Sequence, residues 1–342
     1  MNKILYLFDE NYVKNLFREK VLPLYPDFYD IKKIEIDAPK KYIWEKTYHV
    51  VIKFKTSFIT KENKTKKLTI YCSAHSNEPR KNVYDALKYL WEHNFSKGWL
   101  SIPHPLFYSE YFQGTFYRGV NGRNLYQFIR EKNYSEIEKI IPKAAAWFAK
   151  LHRLPTKDAP NFNPENSRIK TVVPGVNHIL QKIKERYPQY FNIYKELYNI
   201  FMNKEERFLN RNKQRWFVHG DAHPENIIKM SERKLAVIDF TDISLSDFAR
   251  DLGSFLQQLE YMSNRKIADP IYTKKIKDLF LESYLKEAKM SLSTDLEERI
   301  MNYYYWTAIR TATFFLLKHN HEPERAKPLI NQVSQEVLNY NI

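Results

Sequence analysis

The chain of 342 residues contains a single cysteine, Cys72. One cysteine cannot form an internal disulfide or a multi-cysteine zinc site, which fits a reducing compartment. The first apolar run before Asp9 has only five residues, which is too short for the hydrophobic region of a signal peptide. The most apolar long stretch, residues 300–318, includes Asn302 and Arg310, so it predicts a buried helix and not a membrane span. We therefore expect a cytoplasmic protein that does not bind membranes.

Glycine is also scarce: the chain has only 7 glycines, and none precedes Gly98. This excludes a glycine-rich phosphate-binding loop near the N-terminus. Runs of five or more basic residues are absent as well, although 55 Lys and Arg against 40 Asp and Glu give a net charge of +15. Because a nucleic-acid site requires a localised basic patch, we attribute this charge to composition and do not expect nucleic acid as a partner. Steeply salt-dependent affinity for DNA or RNA would show otherwise.

The pattern of apolar residues changes near residue 119. Before it, β-branched and alternating segments predict antiparallel strands, and after it nearly all patterns are helical. We therefore predict an α+β protein with domains at residues 1–119 and 120–342. The expected elements of the first domain are strands at 29–37, 47–59 and 67–75, a helix at 82–95 and a hairpin that turns at Gln113 and Gly114.

The second domain is predicted to consist mainly of helices. The first of them has Ser135 and Glu138 at the spacing of a capping box and ends before Pro155. The remaining helices are expected at about 176–212, 247–262, 270–290, 294–318 and 323–339.

One short segment concentrates polar residues between two strand-like runs. In "WFVHGDAHPENIIKM", residues 216–230, the loop contains Asp221, and Asn226 follows five positions later. Asp239 lies thirteen positions beyond Asn226, at the end of the strand-like run "AVIDF". This order and spacing is used for phosphoryl transfer: one carboxylate orients the attacking hydroxyl, while an amide and a second carboxylate bind Mg²⁺.

The segments "VHGDAHPENI" and "LAVIDF" together resemble the signature of the aminoglycoside phosphotransferase and choline kinase superfamily, whose members are small-molecule kinases. Similarity extends to "GVNGRNLYQFI", "AAAWFAKLHRLP" and "DFARDLGSFL". The resemblance implies a bilobal protein-kinase-like fold, with a five-stranded antiparallel sheet and one main helix in the N-terminal lobe and a mostly helical C-terminal lobe. It also implies transfer of the γ-phosphoryl group of ATP or GTP, with Mg²⁺, to a hydroxyl of a small molecule.

The same resemblance assigns roles to individual residues. Asp221 is the expected catalytic residue, and Asn226 and Asp239 are the expected metal ligands. The catalytic loop is expected to be supported by His219, His223 and Asp251. Nucleotide contacts are expected at Arg118, Gly119, Val120 and Ser73.

Several positions depart from the family pattern. Ser73, or less favourably Tyr71, occupies the place of the lysine that contacts the phosphates from strand three, and the segment "APKKYIWEK" would have to replace the glycine-rich loop. Asp85 is the nearest acid on the following helix. The loss of one charge-assisted contact costs about 1.5 to 3 kcal/mol, which slows a kinase without abolishing its activity. Lys53 we interpret as a solvated strand residue.

Two other functions are compatible with parts of the sequence. A pseudokinase that binds nucleotide or a partner fits Ser73 and the missing glycine-rich loop. A metallophosphoesterase fits the H-x-D-x-H spacing, but no second cluster completes a two-metal site. The acceptor is not identified, and nothing indicates the oligomeric state. Residues 157–215 contain twelve basic and six acidic residues, which favours a neutral or anionic acceptor over a polycationic aminoglycoside.

Overall fold

The computed structural model describes residues 2–339, which form two compact units. The first comprises the chain up to Gly122 together with Met230–Thr241, and the second comprises Arg123–Lys229 together with the chain from Asp242 onward. The predicted boundary lies after residue 119. The main difference is that the segment Met230–Thr241 belongs to the first unit and not to the second.

The described residues contain eleven strands and ten α-helices. The strands are β1 (Phe28–Ile43), β2 (Tyr48–Thr60), β3 (Thr65–His75), β4 (Leu100–Ser101), β5 (His104–Ser109), β6 (Gly114–Arg118), β7 (Arg123–Asn124), β8 (Trp216–Val218), β9 (Ile227–Lys229), β10 (Leu235–Val237) and β11 (Ser244–Ser246). The helices are α1 (Glu10–Lys20), α2 (Lys81–Leu90), α3 (Leu125–Arg130), α4 (Tyr134–His152), α5 (Val176–Arg186), α6 (Phe191–Arg211), α7 (Ala249–Lys266), α8 (Pro270–Ala288), α9 (Thr294–Leu317) and α10 (Pro323–Leu338).

The first unit contains the predicted five-stranded antiparallel sheet, in the order β1, β2, β3, β6, β5. Alternation along β2 places Val50, Ile52 and Phe54 in a fully buried core, while the residues between them face the other side of the sheet. The core is completed by Val13 and Phe17 of α1. The predicted α+β class and antiparallel sheet are confirmed. Helix α1 was not predicted, although Val13, Leu16 and Phe17 have helical spacing.

The second unit contains most of the predicted helices, with two local differences. The helix expected at 176–212 is interrupted near Pro188 and forms α5 and α6. The predicted capping box at Ser135 is wrong, since α4 begins one residue earlier and the side chain of Asn133 accepts the hydrogen bond of Glu136 N. Asn133 is the N-cap residue of this helix, and its side-chain oxygen is an acceptor of the kind that a capping serine also provides.

Residues 300–318 form most of α9, and Trp306, Ile309 and Leu316 on this helix are buried. No helix within residues 2–339 is long and apolar enough to cross a membrane.

Glu205 of α6 is a buried carboxyl group of the second unit. Its oxygens accept hydrogen bonds from the Tyr303 hydroxyl at 3.0 Å and from Ile169 N at 2.9 Å. Burial raises the pKa of Glu205 from 4.5 to about 7, despite these two donors. The folded protein therefore holds this proton more tightly than the unfolded chain does, so the stabilisation from the neutral form is lost as the pH rises from about 4.5 through 7.

We predict that Glu205→Gln removes this pH dependence, because the amide is neutral at every pH. Between pH 5 and 8 the wild type should lose up to about 3 kcal/mol of unfolding free energy relative to the variant. Urea unfolding of both proteins across this range measures the difference. Parallel pH profiles would contradict the prediction.

Candidate active site

The loop that contains Asp221 is anchored by the buried carboxylate of Asp251, at the start of α7. Its oxygens accept hydrogen bonds from His219 N at 2.7 Å and from Gly220 N at 2.9 Å. The same carboxylate lies 3.0 Å from Nε2 of His152, at the end of α4. Asp251 thus fixes the backbone immediately before Asp221, the geometry that a supporting residue requires.

Charge and hydrogen bonding keep Asp251 ionised in the interior. Burial alone would raise its pKa, but the hydrogen bond and charge of His152, with the Gly220 N–H, lower it below the usual range. The second ring nitrogen of His152, Nδ1, lies 2.8 Å from the Tyr284 hydroxyl. His152 lies in "AAAWFAKLHRLP", one of the segments similar to the family, but no role was predicted for this residue.

Gly220 permits a turn that no other residue could adopt without strain. Its φ is +83°, and an added Cβ would lie 2.4 Å from the carbonyl oxygen of Asp242. The Gly220 carbonyl accepts a hydrogen bond from Nη2 of the buried Arg250 at 3.1 Å. The backbone at this turn is therefore held by side chains on both sides.

Asp221 presents its carboxylate from this anchored backbone, and its side chain is 47% exposed. Nε2 of His223, a residue expected only to support the loop, lies 3.4 Å from Oδ2 of Asp221 itself. Desolvation by the protein around the carboxylate would raise the pKa of Asp221, but His223, by hydrogen bond and charge, and the charge of Arg310 lower it well below the usual range. With its pKa lowered, Asp221 is a weak base. It is suited to orienting an acceptor hydroxyl and to accepting the hydroxyl proton only when that proton becomes acidic during the reaction.

Asn226 closes a short 3₁₀ turn, Pro224–Asn226, and its side chain is fixed. Nδ2 donates a hydrogen bond to the carbonyl oxygen of Asp221 at 3.0 Å. Within residues 2–339, Oδ1 of Asn226 accepts no hydrogen bond, so this oxygen is available to a ligand. An amide oxygen held in this way is a suitable donor for a hard cation.

Asp239 follows β10 in the first unit and is exposed. Its φ of +66° is in the left-handed region, where aspartate is among the better tolerated residues. Oδ1 accepts hydrogen bonds from the Thr241 hydroxyl at 2.7 Å and, more weakly, from Thr241 N at 3.4 Å. These contacts hold the carboxylate against the backbone and hydroxyl of the residue two positions later.

The oxygen donors of Asn226 and Asp239 fit Mg²⁺ better than zinc, which favours nitrogen and sulfur ligands. In the part of the chain that the structure describes, no three His, Cys, Asp or Glu side chains form a group that could hold a metal ion.

The expected nucleotide contacts lie at the end of β6. Gly119 N donates a hydrogen bond to the Thr69 carbonyl at 3.0 Å, so this amide is not available to bind a nucleotide. A Cβ added at Gly119 would lie 2.4 Å from the ring of Tyr71. Arg118 is the last residue of β6, and Val120 follows Gly119 outside the strand. Contact of Arg118 and Val120 with nucleotide stays a prediction.

The segment that was expected to replace the glycine-rich loop is mostly strand. Residues 38–43 belong to β1, and only Trp44–Thr47 form the turn to β2, with a hydrogen bond from Trp44 N to the Thr47 carbonyl at 2.8 Å. The segment contains no glycine, and it continues β1 up to a tight turn. A phosphate group would therefore meet strand side chains here, not a loop of backbone amides.

Cross-strand register identifies a lysine that the sequence did not single out. Lys40 lies opposite Val51, Val51 opposite Ser73, and Ser73 opposite Thr115. Directly paired residues of antiparallel strands face the same side, so Lys40 shares a face with Ser73, two strands and about 10 Å away. Burial and the charge of Arg80 lower the pKa of Lys40, while Asp239 opposes this effect.

Arg80 adds a second cation to this region of the first unit. It is only 7% exposed, its carbonyl accepts a hydrogen bond from the Thr115 hydroxyl, and its Nε has no hydrogen-bond partner among the described residues. Its sole ion pair there joins Nη2 to the exposed Glu78 at 3.5 Å. Asp85, the nearest acid on the helix after β3, forms an ion pair with Lys81 at 2.8 Å on the surface.

A pocket of about 590 Å³ opens beside Asp221 within the second unit. Its walls are one face of α7, including Gln258 and Arg265, and one face of α9, including Thr307 and Arg310. Residues on each helix repeat at intervals of three and four, which places them on one side. The volume is typical of a site for a small molecule.

Comparison with known proteins bears on the family and the fold of the chain. A model of the phosphotransferase enzyme family (APH) matches residues 52–284. No curated protein sequence matches the chain.

Among solved structures, the chain is similar in fold to an ethanolamine kinase from Plasmodium vivax, with TM-score 0.56, 14% identity, and coverage of 90% of this chain and 83% of that one. It is similar to the choline kinase LicA from Streptococcus pneumoniae, with TM-score 0.55, 14% identity and coverage of 96% and 99%. A third similar structure is the ADP-bound aminoglycoside phosphotransferase APH(2'')-Ib, with TM-score 0.53, 13% identity and coverage of 94% and 96%.

Proposed function

The chain belongs to the phosphotransferase enzyme family, and on that premise we propose that it transfers the γ-phosphoryl group of ATP or GTP to a hydroxyl of a small molecule, with Mg²⁺. The observation that carries the proposal is the anchoring of the Asp221 loop. Asp251 fixes the two residues before Asp221, and the carboxylate of Asp221 lines a pocket whose volume suits a small molecule. A carboxylate so placed suits alcohol activation.

In the proposed reaction the acceptor oxygen attacks the γ-phosphorus in line with the bond to the β–γ bridging oxygen. The new O–P bond forms as the bridging bond breaks, and the nucleoside diphosphate leaves with the bonding electrons. Asp221 orients the hydroxyl and accepts its proton as the oxygen loses electron density. Positioning and charge neutralisation supply most of the rate.

Asn226 Oδ1 and the Asp239 carboxylate are the proposed ligands of Mg²⁺. When bound, Mg²⁺ would neutralise charge on the phosphate oxygens. His223 would help to keep Asp221 ionised, since Nε2 lies 3.4 Å from its carboxylate.

Lys40 is proposed to supply the phosphate contact that Ser73 cannot make. The two residues share one face of the sheet, and Lys40 lies close enough to Asp239 for its pKa to respond to that carboxylate. Arg80 would add a second positive charge, with a buried guanidinium whose Nε has no partner among the described residues. In this proposal the phosphate-binding cation lies on β1 and not on β3.

We predict that Lys40→Met raises the KM for ATP by about 10- to 150-fold, since a hydrogen bond to a charged group contributes about 1.5 to 3 kcal/mol. Steady-state kinetics, or ATP titration if turnover is slow, measures the change. Lys41→Met is the matched control, because Lys41 lies on the opposite face above the ring of Phe8. Equal effects of the two substitutions would contradict the role of Lys40.

A screen of hydroxylated metabolites and antibiotics tests the proposed function, with release of the nucleoside diphosphate as the readout. Transfer that requires both an acceptor and Mg²⁺ would support it. The alternative function is a pseudokinase that binds nucleotide without turnover, and the observation in its favour is Ser73 at the place of a phosphate-binding lysine. MgATP binding with no transfer across the screen would favour that alternative.

A further inference from the structure

The pocket beside Asp221 has an unusual charge for a site that is entered by a hydroxyl compound. Its lining carries four basic side chains and two acidic ones, Asp221 and Glu225. The basic side chains are Arg265, Arg310, Lys318 and Arg325.

Two of these basic residues already have acidic or hydroxyl partners. Lys318 and Arg325 both pair with Glu322. Arg325 also donates from Nε and Nη2 to the Tyr261 hydroxyl, at 3.1 and 2.8 Å. Their charges are therefore partly compensated within the protein, and they line the pocket as part of a paired cluster.

Arg310 and Arg265 are different, because neither forms a hydrogen bond or an ion pair with any residue in the described range 2–339. The guanidinium of Arg310, on α9, is half-buried and lies 4.9 Å from the ring centroid of Trp306. That of Arg265, on α7, lies 5.6 Å from the ring centroid of Tyr261. A guanidinium has five N–H donors, so the half-buried Arg310, which has no acidic partner among the described residues, can offer them to a ligand oxyanion, and the exposed Arg265 can assist it.

Arg310 is also close to the residue that would activate the acceptor. Its positive charge contributes to the low pKa of Asp221, and both side chains line the same pocket. A molecule that brings a hydroxyl to Asp221 would therefore place another of its groups near Arg310.

We propose that the acceptor carries a carboxylate or phosphate group in addition to its hydroxyl, and that Arg310, assisted by Arg265, binds this anionic group. The inference rests on the proposed phosphotransferase function and names its substrate class. Arginine binds both oxyanions through paired N–H donors. An amine-bearing acceptor, by contrast, would place its own positive charge near the uncompensated charges of Arg310 and Arg265, at a cost in affinity.

The test measures binding without nucleotide, so that it does not depend on turnover. The probes are hydroxycarboxylates and sugar phosphates, each matched with its neutral amide or dephosphorylated sugar, and kanamycin as a polycation. Calorimetric titration and thermal shift are applied to the wild type, Arg310→Gln and the control Arg207→Gln. Arg207 is an exposed arginine of α6 outside the pocket.

We expect at least one acidic probe to bind at least ten-fold more tightly than its neutral match, and Arg310→Gln to weaken it at least ten-fold while Arg207→Gln binds it as the wild type does. Binding limited to hydroxycarboxylates or to sugar phosphates would identify the anionic group. Preference for neutral probes or kanamycin, an unaffected Arg310→Gln, or no binding of any acidic probe at 10 mM would overturn the inference.

Phosphoryl transfer is measured separately to keep the two proposals distinguishable. Arg310-dependent binding of an acidic probe, with no transfer to any hydroxyl compound, would overturn the phosphotransferase function and leave an anion-binding pocket. Transfer to neutral or cationic alcohols, with no preference for acids, would uphold the function and overturn the inference about the acceptor.

Discussion

Asp221→Asn should lower the rate of phosphoryl transfer by about 10³-fold, since loss of a positioned acid–base group costs 10²- to 10⁴-fold. The amide matches the carboxylate in shape but cannot accept the proton of the acceptor hydroxyl. Because the loop is held through backbone contacts of His219 and Gly220 with Asp251, it should keep its conformation in the variant. Single-turnover transfer from γ-labelled ATP measures the loss.

The control for this variant is nucleotide binding. Asp221→Asn should be stabilised by MgATP as the wild type is, and its circular dichroism spectrum should be unchanged. A variant that is folded and transfers phosphate within ten-fold of the wild-type rate would show that Asp221 has no such role.

Asp239→Ala should abolish the Mg²⁺-dependent part of nucleotide binding. A ligand at 100 times its Kd stabilises a protein by about 2.7 kcal/mol, and this increment should fall to that of ATP alone when the carboxylate is removed. Among the described residues, the side chain of the exposed Asp239 forms hydrogen bonds with Thr241 alone, but alanine is less well tolerated than aspartate at its φ of +66°, so the unliganded variant should melt somewhat below the wild type. The MgATP shift of each protein is therefore measured from its own unliganded melting temperature. Thermal shift with ATP, in the presence of Mg²⁺ or EDTA, provides the comparison.

Asp27→Ala is the matched control for Asp239→Ala, since Asp27 is an exposed aspartate of the same unit that makes no side-chain hydrogen bond or ion pair in the described chain. It should leave the MgATP shift unchanged. Equal MgATP shifts in Asp239→Ala and the wild type would exclude Asp239 as a metal ligand.

Local spacing was sufficient to predict several features of this protein. Asp221 and Asn226 lie five residues apart in one loop, so their relation depends on the chain between them and not on distant packing. The strands and helices followed from periodicity for the same reason. The supporting role of Asp251 came from family resemblance, and the structure shows the hydrogen bonds to His219 and Gly220 through which Asp251 would act.

Features that depend on register or on helix packing were not predicted. Lys40 and Ser73 are more than thirty residues apart in sequence, and only the pairing of β1, β2 and β3 shows that they share a face. Arg310 was noted only as a polar interruption of an apolar helix, because periodicity does not specify which helices pack together. Helix α1 was also not predicted: Val13 and Phe17 are its buried residues, and the packing that buries them against the sheet is not specified by periodicity.

A crystal structure with Mn²⁺ and a non-hydrolysable ATP analogue, with the metal located by its anomalous signal, tests the central claim most directly. The account predicts a metal ion within about 2.3 Å of both Asn226 Oδ1 and an Asp239 carboxylate oxygen, with its remaining ligands drawn from phosphate and water. A metal bound elsewhere, or nucleotide bound without contact to these two residues, would contradict it.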